Sequence, residues 1–223
     1  MKLRMRFEKQ EPVKFISHLD LSRAFERAFR RASLPLAFSQ GFTPRPKISF
    51  STALPVGTTS SGEYLDVEFN EEISPEEVVA RLNSVLPVGI KILQADNTEG
   101  KPELSLINCA RYKVIITGVF CKEELEKALK LLLDKEHIVV TKVTKKNTKQ
   151  IDIKPLIHNI SLIRKDKQQA LLEMDLAVGQ QGNLAPPVVV DELAKILGVG
   201  LEVESIHRED LFLKKGKNMI SPL

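Results

Sequence analysis

Four arginines, Arg23, Arg27, Arg30 and Arg31, stand at offsets of 0, 4, 7 and 8, which puts them along one side of a helix. Guanidinium forks grip phosphate bidentately and keep their charge at physiological pH, so such a row suits a polyanion. The same spacing also suits a solvated face, with Glu26 and Arg30 as an i,i+4 pair worth about 0.2–0.5 kcal/mol. Downstream lies the loop Ser39-Gln40-Gly41-Phe42-Thr43-Pro44-Arg45-Pro46-Lys47. Its prolines stiffen the chain around Arg45, Phe38 and Phe42 offer stacking platforms, and Arg45 and Lys47 supply charge. That set fits a site for phosphate and base, or a proline-fixed turn whose phenylalanines plug the core. His18 and Asp20 head the arginine segment. A histidine beside a carboxylate can serve as general acid or base, or the two can simply shape a capping loop. Glu63 and Asp66 flank a strand and can bind a cation or pair with the arginines.

Other chemistries lack their residues. The chain contains no Walker loop, no G-x-G-x-x-G, no H-E-x-x-H and no C-x-x-C. Cys109 and Cys121, with His18, His137, His158 and His207, have no zinc-site spacing. No metal and no cofactor is expected, and the cysteines read as reduced thiols in or near a core. Gly179-Gln180-Gln181-Gly182 reads as a turn, and the lysines at 142–149 and 214–217 as a hairpin tip and a frayed tail.

The elements that must position these residues follow from periodicity. Leu3, Met5 and Phe7 alternate with charges, as in a half-buried strand. Ser17 with Asp20 three residues on predicts a capped helix running to about Ala32, with Leu21, Phe25, Ala28 and Phe29 inward. A strand is expected at 48–51, a polar stretch from Thr58 to Gly62, and a strand in which Leu65, Val67 and Phe69 alternate with Tyr64, Asp66 and Glu68. Ser74-Pro75-Glu76-Glu77 opens a second helix, and 90–93 forms another strand. After a linker at 97–105 the order repeats. A strand at 112–116 leads to a helix around 125–132, strands near 138–144, 150–157 and 170–176, a helix at 188–197 and a strand at 201–206. The expected fold class is α+β, as two tandem ferredoxin-like (split β-α-β) units over 1–96 and 107–213.

Charge is distributed unevenly. Residues 1–50 carry a net +7, residues 51–105 a net −7 and the rest +4. A basic segment beside an acidic one suits a phosphate-rich partner or a domain that neutralises itself. With 43% hydrophobic and 28% charged residues the 223-residue chain is ordinary globular material. No apolar run approaches the ~20 residues of a membrane span, and the start lacks a signal peptide's apolar core, so a cytoplasmic location is expected.

The run Phe15-Ile16-Ser17-His18-Leu19-Asp20-Leu21, with Arg23, Glu26-Arg27 and Arg30-Arg31, resembles a bacterial family. Leu34 to Phe50, Leu54-Pro55-Val56-Gly57, Glu63-Tyr64-Leu65-Asp66 and, more loosely, Ile151 to Ile157 continue the likeness. This is the radical-SAM-linked family, a domain of unknown function found beside, or fused behind, a radical SAM protein. The resemblance is specific over residues 1–70 and collinear to about residue 213. It implies a partner rather than a reaction. Iron–sulfur and S-adenosylmethionine chemistry would belong to the neighbour, since this chain has no three-cysteine cluster motif. Family members tend to be encoded near ribosomal-protein and ribonuclease genes, which agrees with an RNA setting. The tandem layout is similar to that of CRISPR repeat-processing endonucleases and some pseudouridine synthases. The G-R-T-D signature of the latter and the glycine-rich loop of the former have no counterpart, so that analogy concerns fold.

The function expected is an RNA-binding accessory module acting with a radical SAM protein on tRNA or rRNA. Its binding residues would be Arg23, Arg27, Arg30, Arg31, Phe42, Arg45 and Lys47, with Glu63 and Asp66, and of these Arg23, Arg27, Phe42, Arg45 and Lys47 are expected to cluster with His18 around one concave surface. The alternatives are an RNA-cleaving or RNA-modifying enzyme using His18 and Asp20, and a protein–protein adaptor without nucleic acid.

Overall fold

A computed structural model describes residues 1–143, 148–180 and 182–223. In chain order its elements are β1 (Lys2–Lys9), α1 (His18–Arg31), β2 (Ile48–Phe50), β3 (Thr59–Glu68), α2 (Pro75–Asn83) and β4 (Ile90–Asn97). Then come β5 (Cys109–Gly118), α3 (Lys122–Asp134), β6 (Val139–Val143), β7 (Thr148–Asp152), β8 (Ile157–Asp166), β9 (Gln169–Ala177), α4 (Pro186–Leu197), β10 (Leu201–Lys215) and β11 (Asn218–Ile220). The protein is α+β, with mostly antiparallel strands. No helix among the described residues is long and apolar enough to cross a membrane.

The chain forms two compact units. One comprises Met1–Ile107 together with Arg208–Leu223, and the other Asn108–His207. The boundary expected near 213 therefore differs, because β10 is much longer than the strand read at 201–206. Its second half serves the first unit. There the strands run β4-β1-β3, with β2 and the end of β10 on the far side of β3. β1 pairs antiparallel with both β3 and β4, and β2 antiparallel with β3. Leu3, Met5 and Phe7 point to one face and meet Leu21, Phe25, Ala28 and Phe29 of α1 with Val78 and Leu82 of α2. Phe7, Phe25 and Phe50 pack edge to face, with ring centroids 4.9–6.2 Å apart.

The helix starts obey their capping residues. Ser17 accepts from the Asp20 backbone N–H, and Ser74 from that of Glu77. Their far ends are tied by arginines. Arg81 donates to the carbonyls of Ala32 and Ser33 at the end of α1, and Arg31 to that of Val85 beyond α2.

Two expectations are corrected in this unit. Thr58 to Gly62, read as a polar stretch, is buried and mostly belongs to β3. Its hydroxyls are satisfied by β10, since Ser60 Oγ and Ser61 Oγ donate to the carbonyls of Arg208 and Glu209. Gly62 sits where a Cβ would lie 2.4 Å from the Asp210 Cα, so only glycine lets the two strands approach. The lysines at 214–217 are not a frayed tail either, because Lys214 and Lys215 end β10 and pair with β11.

In the second unit the strand order is β10-β5-β9-β8, antiparallel between β5, β9 and β8. α3 begins with a capping box built on Cys121, whose Sγ accepts from the Glu124 N–H while the Glu124 carboxylate accepts from the Cys121 N–H. The hairpin β6–β7 stands apart as a two-stranded sheet. The tip expected at 142–149 falls partly on 144–147, and the turn at 179–182 includes Gln181, both outside the described residues. The base of the hairpin is clasped by Asp152. It accepts from His137 Nδ1 at 2.7 Å, from the Ile138 N–H at 2.9 Å and from the Lys154 N–H at 3.0 Å. These donors hold its carboxyl down at about 2.

Candidate nucleic-acid interface

The start of α1 is braced from below. Odd positions of β1 point inward, so Lys9 follows Leu3, Met5 and Phe7 into the interior and is fully buried. Its ammonium donates to the carbonyls of Lys14 and Ile16 at 3.0 and 3.2 Å. The Gly57 N–H also reaches the Lys14 carbonyl, at 2.9 Å. Burial lowers the lysine's pKa, opposed by the nearby Glu63 carboxylate. The segment 14–16 is thus held in place just before Ser17 caps the helix.

At that cap, the Ser17 hydroxyl donates to Asp20 Oδ2 at 2.7 Å. Asp20 also faces Arg23 at 3.7 Å, an exposed pair worth little. His18 is exposed, with its ring edge-on to Phe50 at 5.4 Å. No hydrogen bond joins His18 to Asp20 among the described residues.

Along α1, Arg23, Arg27 and Arg30 point outward, opposite the buried phenylalanines. Among the described residues the guanidiniums of Arg27 and Arg30 meet no carboxylate. Arg31 is exposed but spends a donor on Val85. The loop at 39–45 closes a small ribbon. Phe38 bridges Pro46, the Ser39 N–H donates to the Arg45 carbonyl at 2.9 Å, and the Arg45 N–H donates to Ser39 Oγ at 3.0 Å. Gly41, at φ +126°, makes the turn. Phe42 at the tip is wholly exposed, and Arg45 is exposed.

The expected grouping changes in three places. Ile48 pairs with Val67 and faces α1, so alternation sends Lys47 to the opposite face, where it meets Glu68 at 2.6 Å. Glu63 is buried against Arg208, whose Nε lies 2.7 Å from Oε1 and whose Nη2 holds Oε2. Asp66 is buried in a bidentate pair with Arg4 at 2.7 and 3.0 Å, with Lys2 at 3.3 Å. Neither carboxylate is open to a cation or to the α1 arginines. No hydrogen bond or ion pair among the described residues ties the 39–45 loop to those arginines.

Sequence reasoning missed Lys9, Arg4 and Arg208. Lys9 had a signal, since it continues the inward register of β1. Arg208 had none nearby, because its partner is 145 positions away.

The family model described as an uncharacterized protein conserved in bacteria (DUF2344) matches residues 2–186. The chain belongs to this family. No curated protein matches it. Among solved structures, the chain is similar to one in a Cbf5–Nop10–Gar1 complex, with a TM-score of 0.57 at 10% identity over 98% of this chain and 52% of that one. An archaeal box H/ACA sRNP Nop10–Cbf5 complex gives 0.51 at 10% identity, over 92% and 46%. An H/ACA RNP bound to a substrate RNA containing 2'-deoxyuridine gives 0.52 at 9% identity, over the same shares. At such identity the likeness is one of fold. This family member spans about half the length of the chains it matches.

Proposed function

We propose that this protein is a cytoplasmic RNA-binding module that works beside a radical SAM protein on tRNA or rRNA. The observation that carries the reading is the state of the charges. Three carboxylates of the acidic segment are already taken, Glu63 by Arg208, Asp66 by Arg4 and Glu68 by Lys47. Arg27, Arg30 and Arg45 remain outward and without carboxylates among the described residues. Exposed guanidiniums in a row hold a phosphate backbone well.

The fold agrees with this reading. We read each unit as ferredoxin-like, since both orders follow a fourth-first-third-second pattern about two helices. In the first unit the sheet face opposite α1 is covered at Arg4, which also donates to the carbonyls of Pro102 and Pro222. The solved structures of similar fold belong to proteins whose complexes are named as ribonucleoproteins. In this reading the reaction belongs to the radical SAM partner, and the present chain holds the RNA.

The test is retention of labelled tRNA and rRNA fragments across a salt series. Wild type should bind with log affinity falling linearly against log salt, and Arg27→Glu with Arg45→Glu should abolish retention with the melting temperature nearly unchanged. Absence of retention by wild type at low salt, or early unfolding of the variant, would overturn the reading.

A further inference from the structure

Phe15 is 72% exposed although the residues on both sides of it are held in place. The carbonyls on either side of it, those of Lys14 and Ile16, are both held by the buried Lys9 ammonium. Gly57 backs the ring, since a Cβ there would lie 3.7 Å from Phe15 Cε1. Above it stands the Lys14 ammonium, 5.2 Å from the ring centroid and itself steadied by Glu11 at 2.7 Å. A large apolar ring that packing does not bury, fixed on a rigid strap, is shaped to receive something flat.

Phe15 precedes the Ser17 cap by two residues, which puts it at the N-terminal end of α1. Leu19, 58% exposed, lies one turn before Arg23, and steps of four continue to Arg27. At a rise of 1.5 Å per residue, Leu19 to Arg27 covers about 12 Å. An exposed aromatic ring with its own cation therefore stands at the head of a row of guanidiniums. Rings that stack and cations that follow a backbone are the two components of single-strand recognition, because unpaired bases offer π-faces that a duplex hides.

We infer that Phe15 is a stacking platform for an unpaired base, and that the ligand of the α1 face is single-stranded RNA entering at Phe15 and Lys14 and running toward Arg27 and Arg30. The inference rests on the RNA-binding reading above and narrows it from RNA in general to unpaired nucleotides. An anionic membrane would also meet the cations but presents no flat rings for Phe15 to cover, and an acidic protein is separated from RNA by the titrations below.

The whole chain contains no tryptophan, so Phe15→Trp introduces a single reporter. Titrating that variant with a single-stranded RNA oligonucleotide should quench its fluorescence, while an abasic oligomer of equal phosphate count should bind with little quenching. Phe15→Ala should weaken the base-bearing oligonucleotide about 5- to 150-fold without changing the salt slope, and leave the abasic one unaffected. Equal affinity of Phe15→Ala and wild type for the base-bearing strand, with binding otherwise intact, sinks the stacking role alone. Failure of wild type to bind either strand sinks the RNA reading itself. A blue shift on anionic vesicles with no response to RNA would assign the surface to a membrane instead, and a response only to an acidic protein would assign it to that partner.

Discussion

Glu63 and Arg208 illustrate what a single position can conceal. In the sequence, Leu65, Val67 and Phe69 alternate with Tyr64, Asp66 and Glu68, and alternation assigns the second set to solvent. Asp66 is nevertheless buried, because the Arg4 guanidinium covers it, while Glu63, which shares the inward parity of Leu65 and Val67, carries a charge there because Arg208 matches it. Periodicity within a strand identifies which residues share a face and says nothing of what later lies over it. Removing the charge with Glu63→Gln leaves Arg208 beside Lys9 with no carboxylate between them, and a broken buried pair costs about 3–5 kcal/mol. The expected result is a lower urea midpoint with an unchanged slope. Replacing both partners, as Glu63→Leu with Arg208→Met, should recover much of that loss. A Glu63→Gln midpoint equal to wild type would show that the pair carries no weight.

Elements were legible where a period or a cap is local. Ser17 and Ser74 sit at helix starts, and Leu21, Phe25, Ala28 and Phe29 line the buried side of α1 as their spacing predicts. The start of β3 was not legible, since Ser60 and Ser61 look polar until β10 supplies carbonyls for their hydroxyls. Of the site, the outward arginine row could be read from its spacing, whereas the diversion of Lys47 depended on a register with β3 that no local pattern carries. In the hairpin β6–β7, Asp152 gathers three donors, and its carboxyl lies at about 2 against an ordinary ~3.9. A depressed folded-state value means the contribution is fully present above about 3.9 and is lost as pH falls toward 2. Asp152→Asn should therefore melt earlier than wild type at neutral pH, and the difference should shrink through that window. A difference that persists undiminished at pH 2 would show that the charge is not the cause.

At the scale of the molecule, the first unit is discontinuous in sequence. Residues 1–107 lack the strand that follows β3, the guanidinium that matches Glu63, and the Pro222 carbonyl that Arg4 holds. The fragment 1–107 should show no cooperative thermal transition. A chain in which Arg208–Leu223 is joined by a short flexible linker ahead of Met1 and ends at Ile107 should regain one. Cooperative melting of 1–107 alone at the wild-type temperature would overturn this expectation.

Synthesis on the ribosome gives that discontinuity a temporal meaning. Translation at about 5–20 residues per second leaves the first unit waiting roughly 5–20 s for β10 after its own first 107 residues are made. During that interval the far edge of β3 lacks its long partner strand and Glu63 lacks the Arg208 guanidinium. The second unit, unbroken from Asn108 to His207, is complete as soon as it emerges. The part of the chain made first is therefore the last to finish folding, and it is the nascent first unit that a ribosome-associated chaperone would meet.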